Sequence, residues 1–152
     1  MNIGSGSRYP ANSLSNFSPH PFVIDGVNCN SMEGFLQSLK FKNPDMQVEV
    51  CKMVGKQAKF KGKPKKWWKT QTLWWKGIEI DRHGDEYQDL LDRAYWALCK
   101  NTKFKKALLA SGNSALTHSL GNRDSRRTIL TVREFCGRLY SMRAELQRQK
   151  EN

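Results

Sequence analysis

An apolar pattern in residues 30–41 restricts the fold of this chain more than any other feature. Four apolar residues recur there at the spacing of a helix that buries one face: Met32, Phe35, Leu36 and Leu39. The polar residues of the same segment share a second face: Glu33, Gln37 and Lys40. Asn30 or Ser31 can cap this helix, so Glu33 lies in its first turn, where free backbone N–H groups favour a carboxylate. Glu33 is then either a capping-box residue of a surface helix or a carboxylate that faces a ligand.

Capping signals predict four more helices. Asn43 as N-cap and Pro44 at the first helical position indicate a second helix, which Gly55 would end. The other three are expected from Asp85 to Leu98, over Thr102–Ala110, and onward from the capping box Thr131–Glu134. The last helix has an apolar face and an opposite basic face, and the basic residues are Arg133, Arg138, Arg143 and Arg148.

Two short hairpins complete the expected fold. Asp25-Gly26 is a typical hairpin turn within residues 22–27, and a second hairpin is expected over residues 72–80. We therefore predict a compact α+β domain, mainly α, that spans residues 1–152 as a single unit. Its first thirteen residues read as irregular chain, and residues 149–152 should fray.

Charge and cysteine usage limit the kinds of function. Twenty-six basic residues against fourteen acidic ones give a net charge of +12, which favours an anionic partner such as nucleic acid, a nucleotide or phosphate. The four cysteines form no Cys-x-x-Cys pair and sit in apolar patterns, which indicates buried free thiols in a reducing cytoplasm. None of the three histidines has metal-ligand spacing to a cysteine, so neither a metal nor a cofactor is expected. No apolar run is long enough for a membrane helix, and no signal peptide is recognisable.

A basic and aromatic segment follows the second helix. Nine lysines and no acidic residue lie between Lys52 and Lys76, together with the tryptophans Trp67, Trp68, Trp74 and Trp75. Lysines neutralise phosphates and tryptophan faces stack on bases, so this mixture suits a nucleic acid or a nucleotide. Alternatively, the lysine run is a solvated loop and at least one of Trp74 and Trp75 enters the core from a strand. Trp67 or Trp68 is the better ligand candidate.

Standard enzyme motifs are absent, but a resemblance to a known family covers most of the chain. The segments that carry it are Leu14-Ser-Asn-Phe17, Phe22-Val-Ile-Asp-Gly26 and Ser31-Met-Glu-Gly-Phe-Leu-Gln-Ser-Leu-Lys40. They resemble the opening of the YbiA-like, or NADAR, superfamily, with its Ser-Asn-Phe, hairpin and Thr/Ser-x-Glu-His-Tyr-x-Gln-x-x-Lys helix. The resemblance implies a compact, mainly helical YbiA-like domain. Members include N-glycosidases that cut riboflavin-pathway intermediates and hydrolases that remove ADP-ribose from guanine in nucleic acid.

Residue by residue, the resemblance makes Glu33 the catalytic glutamate. Gln37 and Lys40 fall on the family's Gln and Lys, Asn16 and Phe17 on its Ser-Asn-Phe, and Trp68, or Trp67 after a shift of one, on its site tryptophan. Two departures stand out. The family's His-Tyr is Gly34-Phe35 here, and its downstream Glu and Trp-Gly loop are missing. The second half of the site is then either lost or rebuilt, and the candidates for rebuilding it are His118, Asp124, Arg133 and Glu134.

Together these features imply an N-glycosidase that acts on an ADP-ribose-type bond, most sharply one that removes ADP-ribose from guanine in DNA or RNA, as an antitoxin does. A carboxylate suits this reaction because it stabilises an oxocarbenium-like state or activates water. Two alternatives remain open: hydrolysis of a riboflavin-pathway ribosyl intermediate, and a non-catalytic module that binds nucleic acid or ADP-ribose. The expected location is the cytoplasm, or the host cytoplasm if the source is viral.

Overall fold

The computed structural model describes residues 1–151, and over them the chain forms α-helices and two separate hairpins. The strands are β1 (Phe22–Ile24), β2 (Val27–Cys29), β3 (Thr72–Trp75) and β4 (Ile78–Asp81). The α-helices are α1 (Met32–Ser38), α2 (Pro44–Cys51), α3 (Gly55–Gly62), α4 (Asp85–Leu98), α5 (Thr102–Ala110) and α6 (Val132–Glu151). Short 3₁₀ turns cover Ala11–Leu14 and Trp67–Lys69. The predicted α+β class, mainly α with two small hairpins, is confirmed.

Both hairpins turn on residues with left-handed backbone. Asp25 and Gly26 have φ of 49° and 77°, and Lys76 and Gly77 have 53° and 81°. Positive φ at both central residues is the condition for the tight turn that matches strand twist. β1 pairs antiparallel with β2, and β3 pairs antiparallel with β4. In the second hairpin Trp75 is buried, as expected for at least one of the adjacent tryptophans.

Helix α1 lies in the centre of the core. The four residues of its predicted apolar face are all at most 3% exposed, and the Phe35 ring meets the Trp75 ring edge-on at 5.1 Å. Gly34 brings α1 against the end of α2, because a Cβ there would be 2.4 Å from the Met53 carbonyl oxygen. No side chain fits at that distance. The packing of α1 on α2 therefore explains why glycine stands where the resembling family has histidine.

Helix α3 was not predicted. The sequence suggested a solvated lysine loop after Gly55, but Gly55 begins a helix, with φ of 54°, instead of ending α2 at that point. The helix is short and basic, and its buried residues are the small Ala58 and Gly62. Small residues give a weak hydrophobic signal, yet they allow close packing: a Cβ on Gly62 would lie 1.9 Å from Oε1 of Gln37 in α1.

Helix α6 corrects a second expectation. Its predicted basic face is only partly a solvent face, because Arg143 is buried and donates to Ser111 Oγ at 3.0 Å and to the Ser114 carbonyl at 2.9 Å. Arg138 likewise donates to Gln88 Oε1 at 2.8 Å. The helix includes residues 149–151 of the segment that was expected to fray, and Asn152 lies outside the described residues.

The remaining expectations concern cysteines and membranes. All four cysteines are buried free thiols, as the sequence predicted. Among the helices of residues 1–151, none has both the length and the apolar character needed to cross a membrane.

Candidate active site

A cavity of about 400 Å³ opens between two structurally different walls. We call the residues contributed by α1 and α3 the helical wall: Glu33, Leu36, Gln37 and Lys59. The loop wall is formed by residues 118–130, with His118, Asn122, Arg127 and Thr128 among the side chains that line the cavity. The lining also includes residues 15–17, Gly4 and Ser5 near the N-terminus, and Phe135 of α6. The volume lies within the ~300–1,000 Å³ typical of small-molecule sites.

Glu33 is not the cap of its helix. Ser31 takes that role, because its Oγ accepts a hydrogen bond from Gly34 N at 3.0 Å. The Glu33 carboxylate instead lines the cavity, where its Oε1 accepts from Gln37 Nε2 at 2.9 Å. The interpretation of Glu33 as a capping residue on a surface helix is therefore wrong. Gln37 orients the carboxylate and engages only one of its two oxygens.

The environment of Glu33 makes its ionisation less favourable than in water. Burial raises the pKa of Glu33, and the hydrogen bond from Gln37 and the charges of Lys40 and Lys59 oppose this rise without cancelling it. Burial also lowers the pKa of Lys40, against the attraction of Glu33. A carboxyl group that is desolvated at a cavity and retains a raised pKa is typical of a group used in proton transfer.

The segment before β1 positions the first turn of α1, which carries Glu33. The Asn16 carbonyl accepts a hydrogen bond from Glu33 N at 3.0 Å, and the Asn16 side-chain oxygen accepts one from the Tyr95 hydroxyl at 2.9 Å. Asn16 thereby ties the first turn of α1 to the buried face of α4. Phe17, the next residue, also lines the cavity and lies beside the start of α3.

His118 reaches the same cavity from the loop wall. Its Nδ1 lies 2.8 Å from the Ile3 carbonyl oxygen, which can only accept, so Nδ1 carries a hydrogen. In the neutral ring Nε2 is then an acceptor. The ring packs edge-on against Phe135 at 5.4 Å, and Gly121 leaves room for it, since a Cβ there would be 2.6 Å from His118 Cδ2. The structure thus brings together the predicted residues Glu33, Gln37, Asn16, Phe17 and His118.

Four other predicted residues do not line the cavity. Lys40 acts on Glu33 only through its charge. Trp68 is 52% exposed outside the cavity, and its neighbour Trp67 is buried in the core. Asp124 shapes the loop wall, because its Oδ1 accepts from Arg126 N at 2.9 Å. Arg133 is exposed on the first turn of α6.

Glu134 also has a structural role, and its prediction as a substrate ligand is corrected. It forms the predicted capping box with Thr131, and its carboxylate accepts from Arg82 at 2.7 and 3.1 Å and from Gln88 at 2.7 Å. Burial opposes ionisation of Glu134, but the hydrogen bonds from Arg82, Thr131 and Gln88 together keep its pKa below the usual value. These partners occupy both carboxylate oxygens of Glu134, so neither oxygen is free to accept a hydrogen bond from a ligand in the cavity.

A buried pair of side chains supports the loop wall. Arg82 is 1% exposed and donates from Nε to the Thr128 carbonyl at 3.0 Å, while the Tyr87 hydroxyl donates to the Ile129 carbonyl. Arg82 also stacks on the Tyr87 ring, 4.9 Å from its centroid. The carbonyls of Thr128 and Ile129 are therefore fixed by Arg82, which follows β4, and by Tyr87 of α4.

Comparison with known proteins gives a family and a fold. The family of bacteriophage protein GP30.3 matches residues 8–144, which is most of the chain. The chain belongs to the bacteriophage GP30.3 family. The uncharacterized 17.1 kDa protein from the Gp30-rIII intergenic region of Enterobacteria phage T4 is 35% identical over 151 residues, covering 96% of this chain and 98% of the phage T4 protein.

This GP30.3-family chain has the fold of the E. coli protein YbiA. The NMR structure of YbiA aligns with a TM-score of 0.65 at 16% identity, covering 100% of this chain and 87% of YbiA. The resemblance noted from residues 14–40 is therefore confirmed as a shared fold.

The sequence did not identify several residues that line the site of this GP30.3-family chain. Lys59 was assigned to a solvated lysine loop. A helix through Ala58 and Gly62 would have had to be predicted to place Lys59 beside Gln37. Arg127 lies in an irregular segment, where no periodic pattern indicates the direction of a side chain. Arg82 supports the loop wall without lining the cavity. It also carried no signal, because a single arginine after a strand is ordinarily exposed.

Proposed function

We propose that the protein is an N-glycosidase that cleaves an ADP-ribose-type N-glycosidic bond, most sharply the bond between ADP-ribose and guanine in nucleic acid. The observation that carries the proposal is Glu33: a carboxylate with a raised pKa at the wall of a cavity of about 400 Å³, with one oxygen held by Gln37. The YbiA fold and the match of residues 14–40 to the YbiA-like helix support the same assignment.

The reaction adds one water across the bond between C1′ of the ribose and the nitrogen of the base. Positive charge develops on the ribose as this bond breaks, and the ionised Glu33 stabilises it or accepts a proton from the attacking water. The oxygen of Glu33 that Gln37 does not engage is the one available for this role. Desolvation strengthens its interaction with the developing cation.

The departing base must take up a proton. His118 is suited to supply it, because its Nδ1 already donates to the Ile3 carbonyl and its Nε2 gains a hydrogen when the ring is protonated. Lys59 and Arg127 line the same cavity and carry the charges that a pyrophosphate requires. Asn16 and Phe17 bound the remaining space as polar and apolar contacts.

The test is replacement of Glu33→Gln, which keeps the shape and the Gln37 contact but removes the charge. Release of ADP-ribose from an oligonucleotide that carries ADP-ribosylated guanine, measured by chromatography, should fall by roughly 10²-fold or more. Glu49→Gln is the matched control, because Glu49 is an exposed glutamate paired only with Lys52. Unchanged release by the Glu33→Gln variant would refute the proposal.

Two further outcomes separate the alternatives. If the wild type cleaves a riboflavin-pathway ribosyl intermediate but not the modified oligonucleotide, the reaction class stands and the substrate changes. A non-catalytic binding module is favoured by the nine exposed lysines between residues 52 and 76. That alternative predicts binding without release of ADP-ribose, and affinity that does not change in Glu33→Gln.

A further inference from the structure

Exposed aromatic rings lie among lysines on the surface beside the cavity. Phe60 is 57% exposed and Trp68 is 52% exposed. All nine lysines between residues 52 and 76 are exposed, and no acidic residue interrupts them. We call the following residues the basic-aromatic surface: Lys56, Phe60, Lys63, Trp68, Lys69 and Arg126. Two large exposed rings whose charged neighbours in this segment are all basic form an unusual combination, whereas a single exposed apolar residue would be ordinary.

An ammonium group lies over the face of each ring. Lys63 Nζ lies 5.9 Å from the centre of the Phe60 ring, and Lys69 Nζ lies 5.8 Å from the centre of the Trp68 ring. A base that stacks on such a face would displace the ammonium, and the exposed lysine could then pair with the phosphate of the same nucleotide. Alternation of stacking ring and cation is the pattern by which proteins bind single strands.

The basic-aromatic surface adjoins both walls of the cavity. Lys59 lines the cavity from α3, and Phe60 is the next residue of the same helix. On the other side, Gln71 Nε2 donates to the Trp68 carbonyl and to the Arg126 carbonyl, each at 2.9 Å. Arg126 is followed by Arg127, which lines the cavity. The segments that carry Phe60, Trp68 and Arg126 are thus directly connected to both walls of the cavity.

We infer that the basic-aromatic surface binds a single-stranded nucleic acid and delivers one of its nucleotides to the cavity. The role of the cavity rests on the proposed function; the surface itself is argued from exposure, charge and ring placement. A single strand is required because a base within a duplex offers no free face to Phe60 or Trp68 and cannot enter a cavity. An acidic polypeptide would satisfy the lysines but leave both rings without a partner.

The direct test is fluorescence anisotropy with an unmodified, labelled single-stranded oligonucleotide of about 12 nucleotides, within the ~4–16 typical of such sites. Trp68→Ala should weaken binding roughly tenfold, and Trp68→Phe, which keeps a stacking ring, should restore most of the affinity. Trp96→Ala is the matched control, because Trp96 is 42% exposed on α4, away from this surface, and should bind as the wild type does. Circular dichroism checks that each variant is folded.

Salt dependence and competitors provide the second part of the test. Lys63→Gln should reduce the slope of log affinity against log salt by about 0.7, the value for one phosphate of a single strand. A duplex of the same sequence and polyglutamate should both compete poorly. Equal competition by either, or equal binding by wild type and Trp68→Ala, would overturn the inference in favour of a general charge effect.

The binding assay involves no hydrolysis, so the two proposals fail separately. Trp68-dependent binding without any release of ADP-ribose would refute the proposed reaction and leave the surface assignment intact. The opposite result would refute the surface assignment alone. In that case the protein would release ADP-ribose from an oligonucleotide, and substitution of Trp68 or Phe60 would leave its affinity for a single strand unchanged.

Discussion

The two walls of the cavity are built by opposite means. The helical wall rests on apolar packing: α1 is buried through Phe35 and Leu39, and its charged residue Glu33 has no ion-pair partner within 4 Å in the described part of the chain. The loop wall has no regular structure, and the charged residues behind it are fully engaged, as Arg82 with Glu134 shows. Glu33 keeps one carboxylate oxygen free for chemistry. Both oxygens of Glu134 accept hydrogen bonds, so Glu134 has a structural role.

Removing the support of the loop wall should have the largest effect. Arg82→Met leaves Glu134 partly buried without its cation and frees the Thr128 carbonyl, so we expect a loss of roughly 3–5 kcal/mol in the free energy of unfolding by urea. Arg93→Met is the control: Arg93 pairs with Asp25 at the surface with half its side chain exposed, and its loss should cost under about 1 kcal/mol.

The pH dependence of that loss provides a further check. Because the pKa of Glu134 is lowered in the folded protein, the Arg82 contact stabilises the fold above the ordinary glutamate pKa of 4.5 and is lost as pH falls through the lowered value. The difference between wild type and Arg82→Met should therefore shrink in acid. Equal differences at neutral and acidic pH would mean that the pair does not support the loop wall as described.

Packing of the helical wall is tested by two glycines. In Gly34→Ala the new Cβ would be 2.4 Å from the Met53 carbonyl, so we expect a loss of roughly 1–3 kcal/mol in urea unfolding. Gly137→Ala is the matched control, because Gly137 lies within α6 and a Cβ there meets nothing within 4 Å. That change should stabilise the protein by about 0.5–1 kcal/mol. Similar effects at the two positions would show that α1 and α2 are not in tight contact.

The smallest expected effect concerns ionisation of the Glu33 carboxylate. Because its pKa is raised in the folded state, the folded protein holds this proton more tightly than the unfolded chain, and stability falls as pH rises above the ordinary value of 4.5 through the raised one. Glu33→Gln should therefore raise the free energy of unfolding at pH 7–8 by about 1 kcal/mol, as active-site neutralisations do. The gain should vanish near pH 4. A variant less stable than wild type at pH 7 would show that Glu33 is a structural charge.

The sequence predicted the helical wall better than the loop wall, for a physical reason. The spacing of the apolar residues of α1 fixes which face is buried, so the position of Glu33 beside Gln37 followed from local pattern. From the sequence, His118 was only a candidate for the second half of the site, because its orientation depends on the Ile3 carbonyl, 115 residues away. Long-range backbone contacts leave no periodic signal.

Errors in the prediction have a common source. Glu134 and Arg143 looked like surface or ligand residues because charged side chains are seldom buried unless paired, and their partners lie in other elements. Helix α3 was missed because Ala58 and Gly62 are too small to give an amphipathic pattern. Trp68 was assigned to the cavity by resemblance, whereas the fold turns its side chain outward beside the cavity.

The pairing of the first residues with residues 115–119 determines when the cavity can exist. Met1 donates to the Ala115 carbonyl at 2.7 Å, Ile3 N donates to the Thr117 carbonyl at 2.8 Å, and Ile3 in turn orients His118. During synthesis the helical wall can form once residues 1–62 have emerged, but His118 and Arg127 become available much later. Contacts of such long sequence separation form late in folding. A nascent chain therefore carries the Glu33 carboxylate before residues 118–130, which form the loop wall, have been synthesised.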